Sequence, residues 1–295
     1  MIIADYHVHS NFSSDGKSPM EQIIEQALRL GLKTLCFTDH LDYDYPLVSN
    51  YSFVFDVGEY FKKLAELKEN YHGRLELLSG VELGLQPHIK DKLASLVNSN
   101  AFDFIIGSSH VVDHMDPYYP EYWQDISEEE GIRRYFQSIL DNCRAFDGFH
   151  VYGHLDYIVR YAPSMIAYKK ALQSASSMTG SESLPAEAYR KVCSIYTYDK
   201  FADILDEVLK TILSLGKGIE VNTAGLKYGL EYPHPRIEIL KRYKELGGEL
   251  ITIGSDAHRF EELCYDFPKA EELLKSLGFK YYAIFRQGKP HMVKL

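Results

Sequence analysis

Short apolar runs alternate with longer amphipathic ones along this chain. Runs rich in Ile, Val, Leu, Phe and Tyr occupy Ile2–Asp5, Lys33–Phe37, Leu75–Val81, Phe102–Ile106, Phe149–Tyr152, Gly218–Val221 and Leu250–Ile253. Their near-continuous apolar character is that of parallel strands buried on both faces. Helical patterns lie between them, over Pro19–Leu30, Val57–Tyr71, His88–Val97, Glu128–Arg144, Phe201–Leu215, Pro235–Leu246 and Glu261–Leu274. The first opens on Pro19 and is followed by Gly31, the usual polarity of helix-start and helix-stop signals. Strand–helix alternation repeated about seven times predicts an α/β protein with a parallel sheet, either a barrel or a doubly wound sheet.

Two stretches break this rhythm. Asp42–Asp56 carries Tyr43, Tyr45, Tyr51, Phe53 and Phe55 and predicts an aromatic-rich loop. Ala162–Tyr198 contains the clusters Ser174–Ser177 and Gly180–Ser183 and predicts an insertion or lid around 162–198. The run Phe279–Phe285 predicts a last strand that closes or flanks the sheet. No repeat or linker divides the 295 residues, so a single domain over 1–295 is expected.

A formal net charge of -10 repels phosphate backbones, which argues against a nucleic-acid polymer as partner. An anionic substrate would have to be met locally, by cations or by a few Arg and Lys. No stretch approaches the ~20 apolar residues of a membrane span, and the opening Met-Ile-Ile-Ala-Asp is too short for a signal peptide. A cytoplasmic protein that does not engage membranes is expected. Cys36, Cys143, Cys193 and Cys264 show no CxxC spacing, so neither a disulfide framework nor a thiolate zinc site is expected.

Polar clusters follow the ends of the apolar runs. In order they are His7-Val8-His9 with Asp15, Thr38-Asp39-His40, Gly80-Val81-Glu82, Ser108-Ser109-His110, Gly153-His154-Leu155-Asp156, Glu220-Val221-Asn222 and Gly254-Ser255-Asp256-Ala257-His258. In a parallel β/α barrel every strand C-terminus points to one face, so these clusters would converge. His-x-His on a strand puts both imidazoles on one side, where two neutral rings can grip one cation. A lone His-x-His is a weak signal. Six of the seven clusters, all but Glu220-Val221-Asn222, offer His, Asp or Glu ligands in succession, each at a strand end, and point to a multinuclear metal site. The sulfur-free donor set suits Zn, Mn or Fe and does not decide among them. His72, His88 and His291 stand outside any motif and read as solvated, and His114 and His150 as structural. Asp5 and Asp39 read as carboxylates that orient the histidines and fix their tautomers. Glu128-Glu129-Glu130 reads as the acidic first turn of a helix.

Taken together, these motifs resemble the PHP (polymerase and histidinol phosphatase) superfamily of metal-dependent phosphoesterases, from Asp5-Tyr6-His7-Val8-His9 to Gly254-Ser255-Asp256-Ala257-His258. The likeness is closest to its stand-alone histidinol-phosphate phosphatase branch, through Asp15 in Asn11–Gly16, through His154–Tyr161 and through Glu220–Gly225. The resemblance implies a distorted (β/α)7 barrel with about three divalent metal ions at the C-terminal rim of the strands. Carried over by position, the first would take His7, His9, Glu82 and Asp256. The second would share Glu82 and add His110 and His154, and the third would take Asp15, His40 and His258. Lys227 departs from the pattern, where arginine is expected.

The implied reaction is hydrolysis of a small phosphomonoester, L-histidinol phosphate in histidine biosynthesis, with a metal-activated hydroxide attacking phosphorus in line. Arg160 is the expected phosphoryl clamp, with Arg259 and Asn222 as further substrate-binding candidates and Asp256 or His154 as proton donor to the leaving alkoxide. Aromatics of the Asp42–Asp56 loop, Phe12, Tyr118 or Trp123 could stack on the imidazole, and Glu231 could meet the ammonium. Two other readings share part of this pattern. One is a PHP phosphoesterase acting on nucleotide 3′-phosphates. The other is an amidohydrolase, which would want a lysine where His110 stands. A non-catalytic metal-binding barrel is a third, disfavoured by the crowded ligand set.

Overall fold

The computed structural model describes residues 2–46, 52–179 and 196–295. The apolar runs become eight short strands: β1 Ala4–Asp5, β2 Thr34–Phe37, β3 His40–Leu41, β4 Glu76–Gly84, β5 Phe104–Ser108, β6 Val151–Tyr152, β7 Gly218–Asn222 and β8 Ile251–Gly254. All pair in parallel in the order β1-β2-β4-β5-β6-β7-β8, with β3 continuing beside β4 beyond the end of β2. β2 and β3 are thus two pieces of one broken stave, and seven staves remain. The last stave returns to the first. Tyr6 N–H donates to the Ile253 carbonyl (3.1 Å), Asp256 N–H to His7 (2.8 Å) and His9 N–H to Ala257 (2.9 Å). These bonds leave a nearly closed barrel where a doubly wound sheet would have two free edges.

The helices form the outer ring: α1 Met20–Arg29, α2 Val57–Asn70, α3 Lys90–Ser99, α4 Glu128–Ala145, α5 Pro163–Thr179, α6 Ala202–Ser214, α7 Ala224–Lys227, α8 Ile237–Glu245 and α9 Phe267–Ser276. α1 buries Met20, Ile23, Ile24 and Ala27, the spacing of a single helical stripe facing a core. α4 starts where the chain says it should. Ser127 Oγ accepts the Glu130 N–H at 3.1 Å, and three glutamates face the positive end of the helix. α9 starts later than the run Glu261–Leu274 suggests. Cys264 and Asp266 take positive φ, and Pro268 in the first turn fixes the helix entry. Within the expected insertion, Pro163–Thr179 is helix α5, while 180–195, with the Gly180–Ser183 cluster, lie outside the described residues. Tyr51 of the aromatic loop also lies outside them. No helix among the described residues is long and apolar enough to cross a membrane.

The final apolar run does not join the barrel. It becomes β9 Tyr281–Arg286, paired antiparallel with β10 Lys289–Lys294 in a hairpin. Phe285 packs against Phe104 and His150, with ring centroids 5.1 and 4.9 Å away. The Tyr6 hydroxyl donates to the Phe285 carbonyl and accepts its N–H, both at 2.9 Å. Arg286 grips Glu76 with two nitrogens, at 2.5 and 2.7 Å. Glu76, Phe104 and His150 stand at or just before the starts of their strands, so the hairpin covers the N-terminal end of the barrel. The C-terminal end is left to the loops. Truncating Phe285→Ala removes the central ring of this cover and is expected to lower the unfolding free energy by about 3–5 kcal/mol, read by urea denaturation. Metal content per folded chain should not change, because the ring sits at the opposite end from the polar clusters.

Candidate active site

The backbone delivers the polar clusters to one place. Residues 6–9 continue the first stave, between the last and the second, so His7 and His9 point inward while Val8, fully buried, points into the helical layer. Strand β4 runs to Gly84, beyond the expected end at Val81, so Glu82 lies inside the strand. Its register neighbours are His40 and Ile106. His110, His154 and the Asp256–His258 turn follow the ends of β5, β6 and β8. Gly254 is required here: a Cβ at this position would overlap His7 Cβ and lie 2.5 Å from Glu220 Oε1. Asp256 takes φ 53, a left-handed conformation that aspartate tolerates better than most residues.

All nine expected ligands meet at this end. Glu82 is the centre. One of its oxygens lies 3.1 Å from His7 Nε2, 3.0 Å from His40 Nδ1 and 3.5 Å from His9 Nε2. The other lies 2.9 Å from His154 Nε2 and 3.2 Å from His110 Nε2. Asp256 Oδ1 sits 3.4 Å from His9 Nε2 and 3.5 Å from His258 Nδ1. Asp15 Oδ2 sits 3.2 Å from His258 Nε2 and 3.6 Å from His40 Nε2. The His9 ring stacks between His40 and His258, at 4.2 and 4.1 Å.

The carboxylates that hold the imidazoles differ from those expected. Asp5 binds backbone: its oxygens accept the N–H groups of His7, Ser255 and Cys264 and the Ser255 hydroxyl. Asp39 likewise ties the 10–13 turn, through Ser10 and Ser13. These bonds to backbone and serine occupy both carboxylates, and neither is hydrogen-bonded to a ring. The rings are oriented by Glu220 on His7 Nδ1 (2.6 Å), Asp42 on His110 Nδ1 (2.7 Å) and Ser13 near His9 Nδ1 (3.3 Å). Sequence reasoning did not assign these roles. A second buried pair, His234 Nδ1 to Asp156 Oδ1 at 2.5 Å, was also missed. His234 reaches this place through a cis peptide before Pro235 and a bridge to Asn222, which no motif announces.

Burial strongly opposes charge throughout the cluster, and neighbours decide the outcome. For His7, burial is outweighed by Glu220, Glu82 and Asp256, which hold its pKa well above the usual imidazole value. His40 is raised to about 9, with Glu82 and Asp15 overcoming burial. His9 goes the other way: burial, with His258 and His40 beside it, pushes it well below. Burial would raise Glu82, but His7, His40 and His110 pull it well below the carboxylate range. Several buried polar atoms remain without hydrogen-bond partners, among them the ring nitrogen His9 Nε2 and the carboxylate oxygens Asp15 Oδ1 and Asp42 Oδ2. Ligating atoms gather within 4.8 Å of one another in four overlapping trios: His7/His9/Asp256, His7/Glu82/His154, His9/His40/His258 and His40/Asp42/His110. A sulfur-free set of imidazoles and carboxylates with unsatisfied atoms fits divalent cations such as zinc.

The cluster floors a cavity of about 390 Å³ walled by Tyr45, Phe53, Tyr118, Tyr119, Tyr157, Tyr161 and Tyr228, with Asp116 and Arg160. Arg160 is buried (8% exposed). Its Nη1 stands 4.0 Å from Asp256 Oδ2, and Nε and Nη1 have no hydrogen-bond partner. The Tyr228 ring lies 4.5 Å from its guanidinium carbon. Other candidates fall elsewhere. Arg259 is 61% exposed beside Glu261 and outside the cavity lining. Asn222 is buried and donates to Glu220 (3.1 Å) and Asp256 (3.4 Å), so it braces ligands. Lys227 donates to the Asp256 carbonyl (3.1 Å) and to Glu262 (2.8 Å) and pins the last turn, a task that needs no arginine fork. Phe12 packs on Phe55 and Tyr60, and Trp123 donates to the Pro117 carbonyl; neither they nor Glu231 line the cavity. His72 and His291 are exposed, and His150 accepts the Ile105 N–H at the covered end. Among the described residues no lysine lines the cavity, unlike the pattern expected of an amidohydrolase.

Comparison with known proteins agrees with this geometry. The PHP domain model matches residues 5–224. A histidinol-phosphatase of Lactococcus lactis is 28% identical over 95% of this chain and 93% of its own. A probable histidinol-phosphatase of Clostridium acetobutylicum is 30% identical, over 95% of each chain. A crystal structure of a Lactococcus lactis histidinol phosphate phosphatase, complexed with zinc, L-histidinol and phosphate, superposes with a TM-score of 0.79 at 28% identity, over 98% of both chains. The chain therefore belongs to the PHP family, with a (β/α)7 barrel whose C-terminal rim gathers its histidines and carboxylates around Glu82.

Proposed function

We propose that this chain hydrolyses L-histidinol phosphate to L-histidinol and phosphate with about three divalent cations. His7, His9, Glu82 and Asp256 would hold one, Glu82, His110 and His154 a second, and Asp15, His40 and His258 a third. One observation carries the reading: a buried ligand cluster shares its cavity with a buried arginine whose donors are unspent. The phosphatase names of the relatives, and the histidinol and phosphate bound in the Lactococcus lactis structure, support it. Bound cations would supply a hydroxide nucleophile at neutral pH and neutralise phosphoryl charge.

The chain's own groups divide the remaining work. Arg160 keeps Nε and Nη1, on different edges of its guanidinium, unspent for phosphoryl oxygens, a planar donor array that lysine cannot reproduce. Packing against Tyr157, Tyr161 and Tyr228 holds the guanidinium in place and keeps water from it. As the new P–O bond forms and the bond to the alkyl oxygen breaks, the leaving alkoxide would take up the proton that the attacking water gave up. Asp256, 4.0 Å from Arg160 Nη1, would relay that proton. The aromatic wall suits an imidazole. Asp116, which accepts from the Tyr45 hydroxyl and from the Tyr118 N–H at 2.7 Å, faces the same cavity and suits a cationic amine.

Three outcomes test this reading. Arg160→Lys should lower kcat/KM for L-histidinol phosphate by about 10²–10³-fold, on the scale of losing one transition-state donor. Metal content by elemental analysis should stay the same. Glu82→Ala should cost both metal and phosphate release, measured on the same preparation; full metal occupancy in that variant would remove Glu82 from the centre. L-Histidinol phosphate should also turn over faster than a nucleoside 3′,5′-bisphosphate, and the reverse order in a phosphate-release assay would overturn the substrate assignment.

A further inference from the structure

Outside the catalytic cluster, three polar side chains from three separate loops converge on the surface. Asp44 follows β3, His88 sits in the 3-10 turn Pro87–Ile89 after β4, and His114 lies in the loop after β5. His88 Nε2 stands 2.7 Å from Asp44 Oδ2, and the His88 and His114 ring centroids are 5.4 Å apart. One ligating atom from each residue lies within 4.8 Å of the other two. All three residues are exposed, and none lines the catalytic cavity.

We propose that Asp44, His88 and His114 form a second, separate divalent-cation site of the zinc type that staples the cavity rim. Two imidazole nitrogens and one carboxylate oxygen are a common tetrahedral donor set, with water free to complete the fourth position. Two nitrogen donors in three favour zinc and its neighbours over calcium or magnesium, which seek oxygen shells. The three loops belong to consecutive staves of the barrel. Each follows His40, Glu82 or His110 by a few residues on the same stave, so the outer trio repeats the inner one a step further along the chain. Tyr45 adjoins Asp44, and Asp116 lies two residues past His114. Their side chains hydrogen-bond to each other and both line the cavity. A cation on the outer trio would therefore cross-link the two segments that form one cavity wall, and would stabilise the folded chain by mass action.

The inference does not rest on the catalytic assignment, because its test is a difference between two proteins that keep every inner ligand. The full chain and the H88A/H114A double variant are dialysed to equilibrium against the same free zinc, and zinc per chain is measured. Thermal unfolding is followed with and without zinc. The substitutions lie on the surface, so the variant should fold, checked by circular dichroism. The expected result is one fewer zinc equivalent in the variant together with a smaller zinc-induced rise in Tm. Asp44→Asn should weaken the same equivalent without abolishing it. An equal zinc count, or an equal zinc-induced shift, overturns the proposal.

Discussion

One buried carboxylate organises this molecule. Glu82, fully buried inside β4, has five imidazoles within 3.5 Å of its two oxygens. An isolated carboxylate in that position would be very costly, and it is tolerated only because positive charge surrounds it. The carboxylates in turn hold His7, His40 and His110 above the usual imidazole pKa, which favours positive charge on these rings. Cations can take the place of the protons without moving the carboxylate, which couples metal affinity to proton release. The barrel is the device that makes such crowding possible, since seven parallel staves aim their ends at one axis.

The two ends of the barrel do opposite things. At the lower end a hairpin, an Arg–Glu fork and a hydroxyl that bonds twice to one residue close the structure. At the upper end the supports are layered. Asp5 and Asp39 fix backbone turns, Glu220, Asp42 and Ser13 fix rings, and the rings face the space where metal would sit. Rigid staves with such supports keep a ligand set in place. The aromatic walls and Asp116 line the cavity above that set.

Much of this was legible in the sequence, for definite reasons. A buried parallel strand is a continuous apolar run, and a histidine just beyond it has one place to go. The nine ligand positions follow from that rule and the family pattern. Glu220, inside β7, and Asp42, just after β3, were harder because nothing along the chain says which ring such a carboxylate will meet. Their importance appears only when the register sets them against His7 and His110. His234 arrives from outside the strand–helix rhythm and carries no local signature. The hairpin was half visible: Phe279–Phe285 is apolar and buried, whereas β10 is mostly exposed and polar and reads as a tail. Asp5 and Asp39 misled in the opposite sense, since their place in the motifs suggests imidazole partners and they bond instead to backbone N–H groups and serine hydroxyls.

Closure between the first and last staves also fixes when the site can exist. His7, His9, Asp15, His40, Glu82 and His110 all lie in the first 110 residues, while Asp256 and His258 are made roughly a hundred residues after His154. At about 5–20 residues per second, the nascent chain spends several seconds with an acid- and imidazole-rich half-funnel whose wall is missing. Only when the final turn emerges can it bond back to His7 and His9, so completion of the centre waits for nearly the whole chain to be synthesised.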